Sequence, residues 1–206
     1  MRRTPKVAAV SIGALIALAG CGSSSRTGTS APTTSVPAAT APSSTAPSTS
    51  GPATTVPVAG VLNPAERTDL TLIHEQERAG LDAYSLFASR YPSPPVFANL
   101  ASSQQVQLAT VTAMMARYGL SDPAAGLAAG TYADPAVQRL YDSTVAAGSS
   151  ADKALDAAEH FEEQHLASLQ AALTRTTRAD LTTMYENLEK ASTAHIAACN
   201  LAHLAS

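Results

Sequence analysis

Four segments of the chain repeat one spacing. Between residues 155 and 172, Leu155, Ala158, Glu162, His165, Leu169 and Ala172 follow at intervals of 3, 4, 3, 4 and 3, which is the inward stripe of an amphipathic helix. Leu70, Ile73, Glu77, Gly80, Tyr84 and Phe87 form a second stripe of this kind. Phe97, Leu100, Gln104, Gln107, Val111, Met114 and Tyr118 form a third. Leu181, Tyr185 (or Met184), Leu188, Ser192, His195 and Cys199 form the fourth. Each stripe is apolar at its ends and polar near its middle, so the sequence calls for helices that bury a shared polar layer.

Helix punctuation separates these segments. Asn63-Pro64-Ala65-Glu66 reads as an N-cap, a first-turn proline and a capping carboxylate, so a helix runs from about Pro64 to about Arg90. The YPSPP break follows, with Ser93 expected to cap a second helix ending at Gly119. Asp134-Pro135 starts a shorter helix that stops near Gly148. Ser150 opens a third long helix through about Leu173, and Thr177, three residues before Asp180, opens a fourth. No stretch alternates with period two. The expected fold is all-α: a four-helix bundle whose long crossover, residues 120–150, contains the short extra helix.

The N-terminus obeys different rules. MRRTPK and the apolar run VAAVSIGALIALA lead to Leu18-Ala19-Gly20-Cys21. A basic head, a short apolar core and small residues before the cut describe a secretory signal, too short to span a bilayer. The LAGC tetrapeptide resembles the lipobox of bacterial lipoproteins, which implies cleavage before Cys21 and lipidation of its thiol. Residues 1–20 are then a signal peptide, and the mature protein is an exported, extracytoplasmic one anchored to the cell membrane. Residues 21–61 are almost entirely Ser, Thr, Pro, Ala and Gly. They cannot form a core and read as a disordered tether with a reach of roughly 35 Å. The bundle domain is residues 62–206.

Loss of Arg2, Arg3 and Lys6 takes the formal charge from −3 to −6. No basic patch remains, so nucleic acid is not an expected partner. No feature names a protein partner. With Cys21 lipidated, Cys199 is the one remaining thiol and no intramolecular disulfide can form. It reads as a small buried hydrophobe. His74 and His160, off the stripes and beside acidic residues, read as solvated, and His203 as part of a fraying end.

The polar layer carries the chemistry. A rise of about 1.5 Å per residue puts Glu77, Gln104, Gln107, Glu162, His165, Ser192 and His195 at matching depths to within one or two turns. A buried carboxylate without compensation costs several kcal/mol. Either a metal ion or an internal hydrogen-bond network has to supply it.

HEQERAGLDAY, PPVFANLASSQQVQL, LYDSTVAAG, ALDAAEHFEEQHL and NLEKASTAHIAA together resemble the ferritin-like domain-of-unknown-function 2202 family over residues 68–200. The resemblance implies a ferritin-like bundle. Ferritin-like di-iron proteins place one Glu on each of two helices and an E-x-x-H motif on each of the other two. On that pattern Glu77 and Glu162 match the lone glutamates and His195 the histidine of the fourth helix. Tyr84 stands seven residues after Glu77, as in rubrerythrin-like sequences. Ser192 replaces the glutamate of the fourth helix, and Gln104 and Gln107 replace the Glu and His of the second. His165 takes a position that is usually acidic.

Two divalent ions bring four positive charges against the two negative ones of Glu77 and Glu162, whereas one ion is balanced. Two readings follow. In one, Glu77, Glu162, His165 and His195 hold a single iron, zinc or manganese ion, giving a metal-dependent redox or metal-sequestering protein. In the other, favoured by loss of the second-helix ligands, the same groups form a metal-free, hydrogen-bonded vestige. The domain then has a non-catalytic envelope or partner-binding role.

Overall fold

A computed structural model of the chain describes residues 60–93 and 95–205. The expected signal peptide, the lipidation site Cys21 and all but the last two residues of the expected tether lie outside the described residues. No strand occurs among the described residues, and the fold is all-α. It comprises α1 (Pro64–Arg90), α2 (Val96–Arg117), α3 (Pro135–Ala147), α4 (Ala151–Arg175) and α5 (Ala179–His203). No helix among the described residues is long and apolar enough to cross a membrane.

Local chemistry fixes most of the boundaries. Asn63 Oδ1 accepts from the Glu66 amide at 2.8 Å, and Glu66 accepts in return from the Asn63 amide at 2.9 Å, satisfying two otherwise orphaned donors. Asp134 caps α3 through the Ala136 and Val137 amides, and Ser150 caps α4 through Lys153. Two expected caps are corrected. Ser93 does not cap α2, because Pro95 occupies the N-cap position and makes no side-chain cap bond. Thr177 does not cap α5 either. Its N-cap is Arg178, whose side chain reaches back to Glu66, while the Thr176 hydroxyl takes the Arg178 amide. Tertiary contact overrides local preference at that corner.

The four long helices close a ring: α1 packs on α2 and α4, and α5 packs on α4 and α2. Short α3 lies against α1 and α4. Two apolar clusters fill the interior. One gathers Tyr84, Phe87, Phe97, Leu100, Leu155, Phe161 and Cys199. The other gathers Leu70, Ile73, Val111, Met115, Leu169, Leu181 and Leu188. Along α1 and α5 the chain passes from the second cluster to the first, and along α2 and α4 from the first to the second. The buried residues between the clusters on every long helix are the polar ones. One stripe position is corrected: Met115, not Met114, is the fully buried methionine of α2.

The crossover is held by α1. Arg78 donates to the carbonyls of Ala124, Leu127 and Ala128. Glu75 accepts from the Ala133 and Asp134 amides at 2.7 and 2.8 Å, and Asp82 accepts from the Gly130 amide and the Tyr132 hydroxyl. These residues recur at intervals of three and four, so they share one face of α1. That face lies under the crossover, and His74 is buried there rather than solvated, with Nε2 3.0 Å from Thr112 Oγ1 and Nδ1 3.6 Å from Asp122.

Candidate functional site

Between the two apolar clusters, Glu77, Gln104, Glu162, His165 and Ser192 have no exposed surface, and Gln107 and His195 almost none. They divide into two imidazole–carboxylate pairs. His165 Nε2 lies 3.1 Å from Glu77 Oε1, joining α4 to α1. His195 Nδ1 lies 2.9 Å from Glu162 Oε1, joining α5 to α4. The Tyr84 hydroxyl also donates to Glu162 Oε1 at 2.8 Å, and Gln104 Nε2 approaches the same atom at 3.4 Å. From α2, Gln107 Nε2 donates to Ser103 Oγ at 2.9 Å, and Ser103 Oγ lies 2.8 Å from His195 Nε2. Gly80 makes room for this arrangement: a Cβ there would stand 2.5 Å from Gln104 Nε2.

Hydrogen-bond accounting locates the protons. Ser168 donates its one hydroxyl hydrogen to the Gln164 carbonyl, so it accepts from Gln76 Nε2. That turns Gln76 Oε1 toward His165 Nδ1, 3.0 Å away, and the ring nitrogen there must carry hydrogen. The facing Nε2 and Glu77 Oε1 then hold one further proton between them, as imidazolium with carboxylate or as imidazole with carboxylic acid. Electrostatics agree. Burial opposes a charged His165, but the charge and hydrogen bond of Glu77, with the charge of Glu162, outweigh it and raise the pKa. Burial raises Glu77 as well, against the pull of His165 and with reinforcement from Glu162. Glu162 goes the other way: burial would raise it, yet the hydrogen bond and charge of His195, the charge of His165 and the nearby Ser192 hydroxyl hold it below the ordinary carboxylate value.

Five buried oxygens in this layer receive no hydrogen bond: Glu77 Oε2, Glu162 Oε2, Gln104 Oε1, Gln107 Oε1 and Ser192 Oγ. They bear on whether the ferritin-type metal pair fits. Two divalent ions do not fit this donor set. Only two carboxylates are present, α2 offers amides where a Glu and a His would stand, and every ring nitrogen of His165 and His195 already faces a polar partner. Among the described residues no three His, Cys, Asp or Glu side chains are grouped to share one ion. The unpartnered Glu77 and Glu162 oxygens, by contrast, are of the type that would face a single cation.

The model of the family described as an uncharacterized protein domain, DUF2202, matches residues 66–201, most of the folded region. The chain belongs to the DUF2202 family. Uncharacterized protein MJ0754 of Methanocaldococcus jannaschii is 26% identical over 138 residues, covering 66% of this chain and 74% of that protein. A crystal structure of hypothetical protein MJ0754 from Methanococcus jannaschii aligns with a TM-score of 0.65 at 26% identity, over 68% of this chain and 81% of the other.

Within this DUF2202 domain, Gln76, Ser103 and Ser168 complete the polar layer without having been singled out in the sequence. Gln76 and Ser103 each stand one position from a polar stripe residue, and that adjacency was the available clue. Tyr84 combines core packing against Phe161 with its bond to Glu162. Cys199 is fully buried, and burial beside Glu162 and Glu159 pushes its thiol up to about 12, which leaves it unreactive. His160 and Glu163 are exposed on α4, and His203 lies 3.1 Å from Asp156.

Proposed function

We propose that this DUF2202 protein is an exported, lipid-anchored domain of ferritin-like four-helix architecture whose two-metal site has degenerated into a hydrogen-bonded layer. Its role is non-catalytic: it presents a folded surface to a partner at the cell envelope. The ferritin-like reading draws support from the helix directions, with α1 and α5 opposed to α2 and α4 and one long crossover between α2 and α4. The anchor draws its support from the sequence before residue 22. The observation that carries the non-catalytic reading is the engagement of all four imidazole nitrogens together with Gln104 and Gln107 on α2. Each carboxylate of such a layer keeps one oxygen on an imidazole, so folding does not depend on an ion even with Glu77 Oε2 and Glu162 Oε2 unpartnered.

A second reading is favoured by the unpartnered Glu77 and Glu162 oxygens. Here Glu77, Glu162, His165 and His195 hold one divalent iron, zinc or manganese ion, which would supply Lewis acidity or one-electron chemistry. Binding would displace the proton that Glu77 and His165 share. Thermal unfolding in the presence of each metal separates the two readings, because an ion bound by the native state alone raises the midpoint with concentration. The hydrogen-bonded layer predicts an unmoved midpoint. A metal-dependent rise that disappears in His195→Ala would establish the single-ion reading instead.

A further inference from the structure

One side of the ring lacks charge. From Val96 to Ala116 no Asp, Glu, Lys or Arg occurs, and from Ala191 to Ala205 there is again none. These stretches are nearly all of α2 and the C-terminal half of α5, which pack on each other. Three of the exposed large hydrophobic residues lie there: Val106 is 67% exposed, Leu201 69% and Leu204 87%. An open cleft of about 290 Å³, lined by Val96, Leu100, Ala198, Leu201 and Ala202, marks the seam at one end. A shallow groove lined by Val106, Ala109, Thr110, Ala113, Met114 and, at its end, Arg117 continues along α2. The outer face of α4 is the opposite, carrying Asp152, Lys153, Asp156, Glu159 and Glu163.

We infer that the α2–α5 face binds a second copy of this chain, as a two-fold dimer with α2 antiparallel to its counterpart across Val106. The inference rests on the reading of the domain as a partner-presenting module and names the partner. Charge chooses the occupant. The whole chain stands at −3, and with Arg2, Arg3, Lys6 and Arg26 outside the described residues the folded body stands at −7. Two such bodies repel wherever their acidic faces meet, and a face whose one charge, Arg117, lies at its end is complementary to itself over the rest of its length. An anionic bilayer would require lysines or arginines, and Arg117 at the end of α2 is the sole one on this face.

Position and size agree with the dimer. Val106 stands at the midpoint of α2, so an axis through it sets Ser102 against Thr110 and Asn99 against Ala113. A 22-residue helix is about 33 Å long. At about 8–10 Å of width per helix, α2 and the stretch Ala191 to Ala205 together offer roughly 500 Å² per copy, near the roughly 600 Å² per partner at the lower end of standard interfaces. The polar layer reaches toward solvent at this seam, through Ser103, Gln107 and His195, as it also does between α1 and α4 through Gln76 and Ser168. A second copy would close the α2–α5 seam.

The test uses the full chain. At micromolar concentration it is expected to sediment as a dimer, and Val106→Glu and Ala113→Glu as monomers with thermal midpoints within a degree or two of the parent. Mild oxidation of Val106→Cys should give a disulfide-linked dimer above the background of the parent, whereas Glu163→Cys on α4 should not. A monomeric parent, variants that remain dimeric, or equal cross-linking from both cysteines would overturn the proposal. So would a monomeric parent that loses binding to phosphatidylglycerol vesicles on Val106→Glu, which would assign the face to lipid. None of these readouts depends on metal, so the dimer can fail while the hydrogen-bonded layer stands.

Discussion

Glu77 and His165 sit in one apolar interior and hold one proton between them, which gives the protein a stability profile with a definite sign. The folded His165 pKa lies above its ordinary 6.5 because Glu77 outweighs burial. Its contribution is therefore complete below pH 6.5 and lost as pH rises through the folded value. Glu77, itself raised, has the same sign from 4.5 upward. Glu162 is lowered, so its contribution is present above 4.5 and lost on acidification below it. Thermal midpoints should fall on the alkaline side of 6.5, and Glu77→Gln, which removes the cause of the His165 shift, should flatten that limb. Gly80→Ala tests the packing of the same layer. Its Cβ would displace the Gln104 amide and crowd Phe161 at 3.2 Å, costing about 1–3 kcal/mol by overpacking, measurable by urea unfolding. The stripe residues that build this layer were legible from spacing, because period and polarity are written in the sequence. The pairing was not: which imidazole meets which carboxylate depends on helix rotation, which spacing leaves open.

At the scale of elements, α1 acts as the scaffold for the crossover. Glu75→Ala should remove two charge-assisted bonds to the Ala133 and Asp134 amides, cost about 1–3 kcal/mol and speed hydrogen exchange across residues 124–134 while leaving α5 protected. Equal acceleration throughout would show that the crossover and the ring open as one unit. Gly148, between α3 and α4, faces the Phe87 ring so closely that an added Cβ would lie 2.5 Å from it. Because that ring is fully buried, Gly148→Ala should destabilise by more than Gly80→Ala, whose neighbour is the end of a flexible side chain. The starts of α1 and α3 could be read from Asn63-Pro64 and Asp134-Pro135 because their caps are local. The starts of α2 and α5 could not. Pro95 displaces Ser93 from the cap, and the α5 entry is set by Arg178 and Thr176 reaching Glu66 on a helix more than a hundred residues earlier.

At the scale of the whole described domain, the arrangement reads as a ring of helices with a polar belt between two greasy ends, acidic on α4 and poor in charge over α2 and the C-terminal half of α5. The belt explains why four chemically different stripes occur in one chain: each apolar end needs a partner at the same height, and each polar centre needs the other three. With Gln104, Gln107 and Ser192 in the layer, Glu77 and Glu162 are its only carboxylates, too few negative charges for two divalent ions. The His–Glu bonds then compensate the remaining carboxylates internally. The decisive measurement is elemental analysis of the protein purified without added metal or a histidine tag. A self-compensated layer predicts less than one tightly bound metal per chain, and two irons per chain would contradict it.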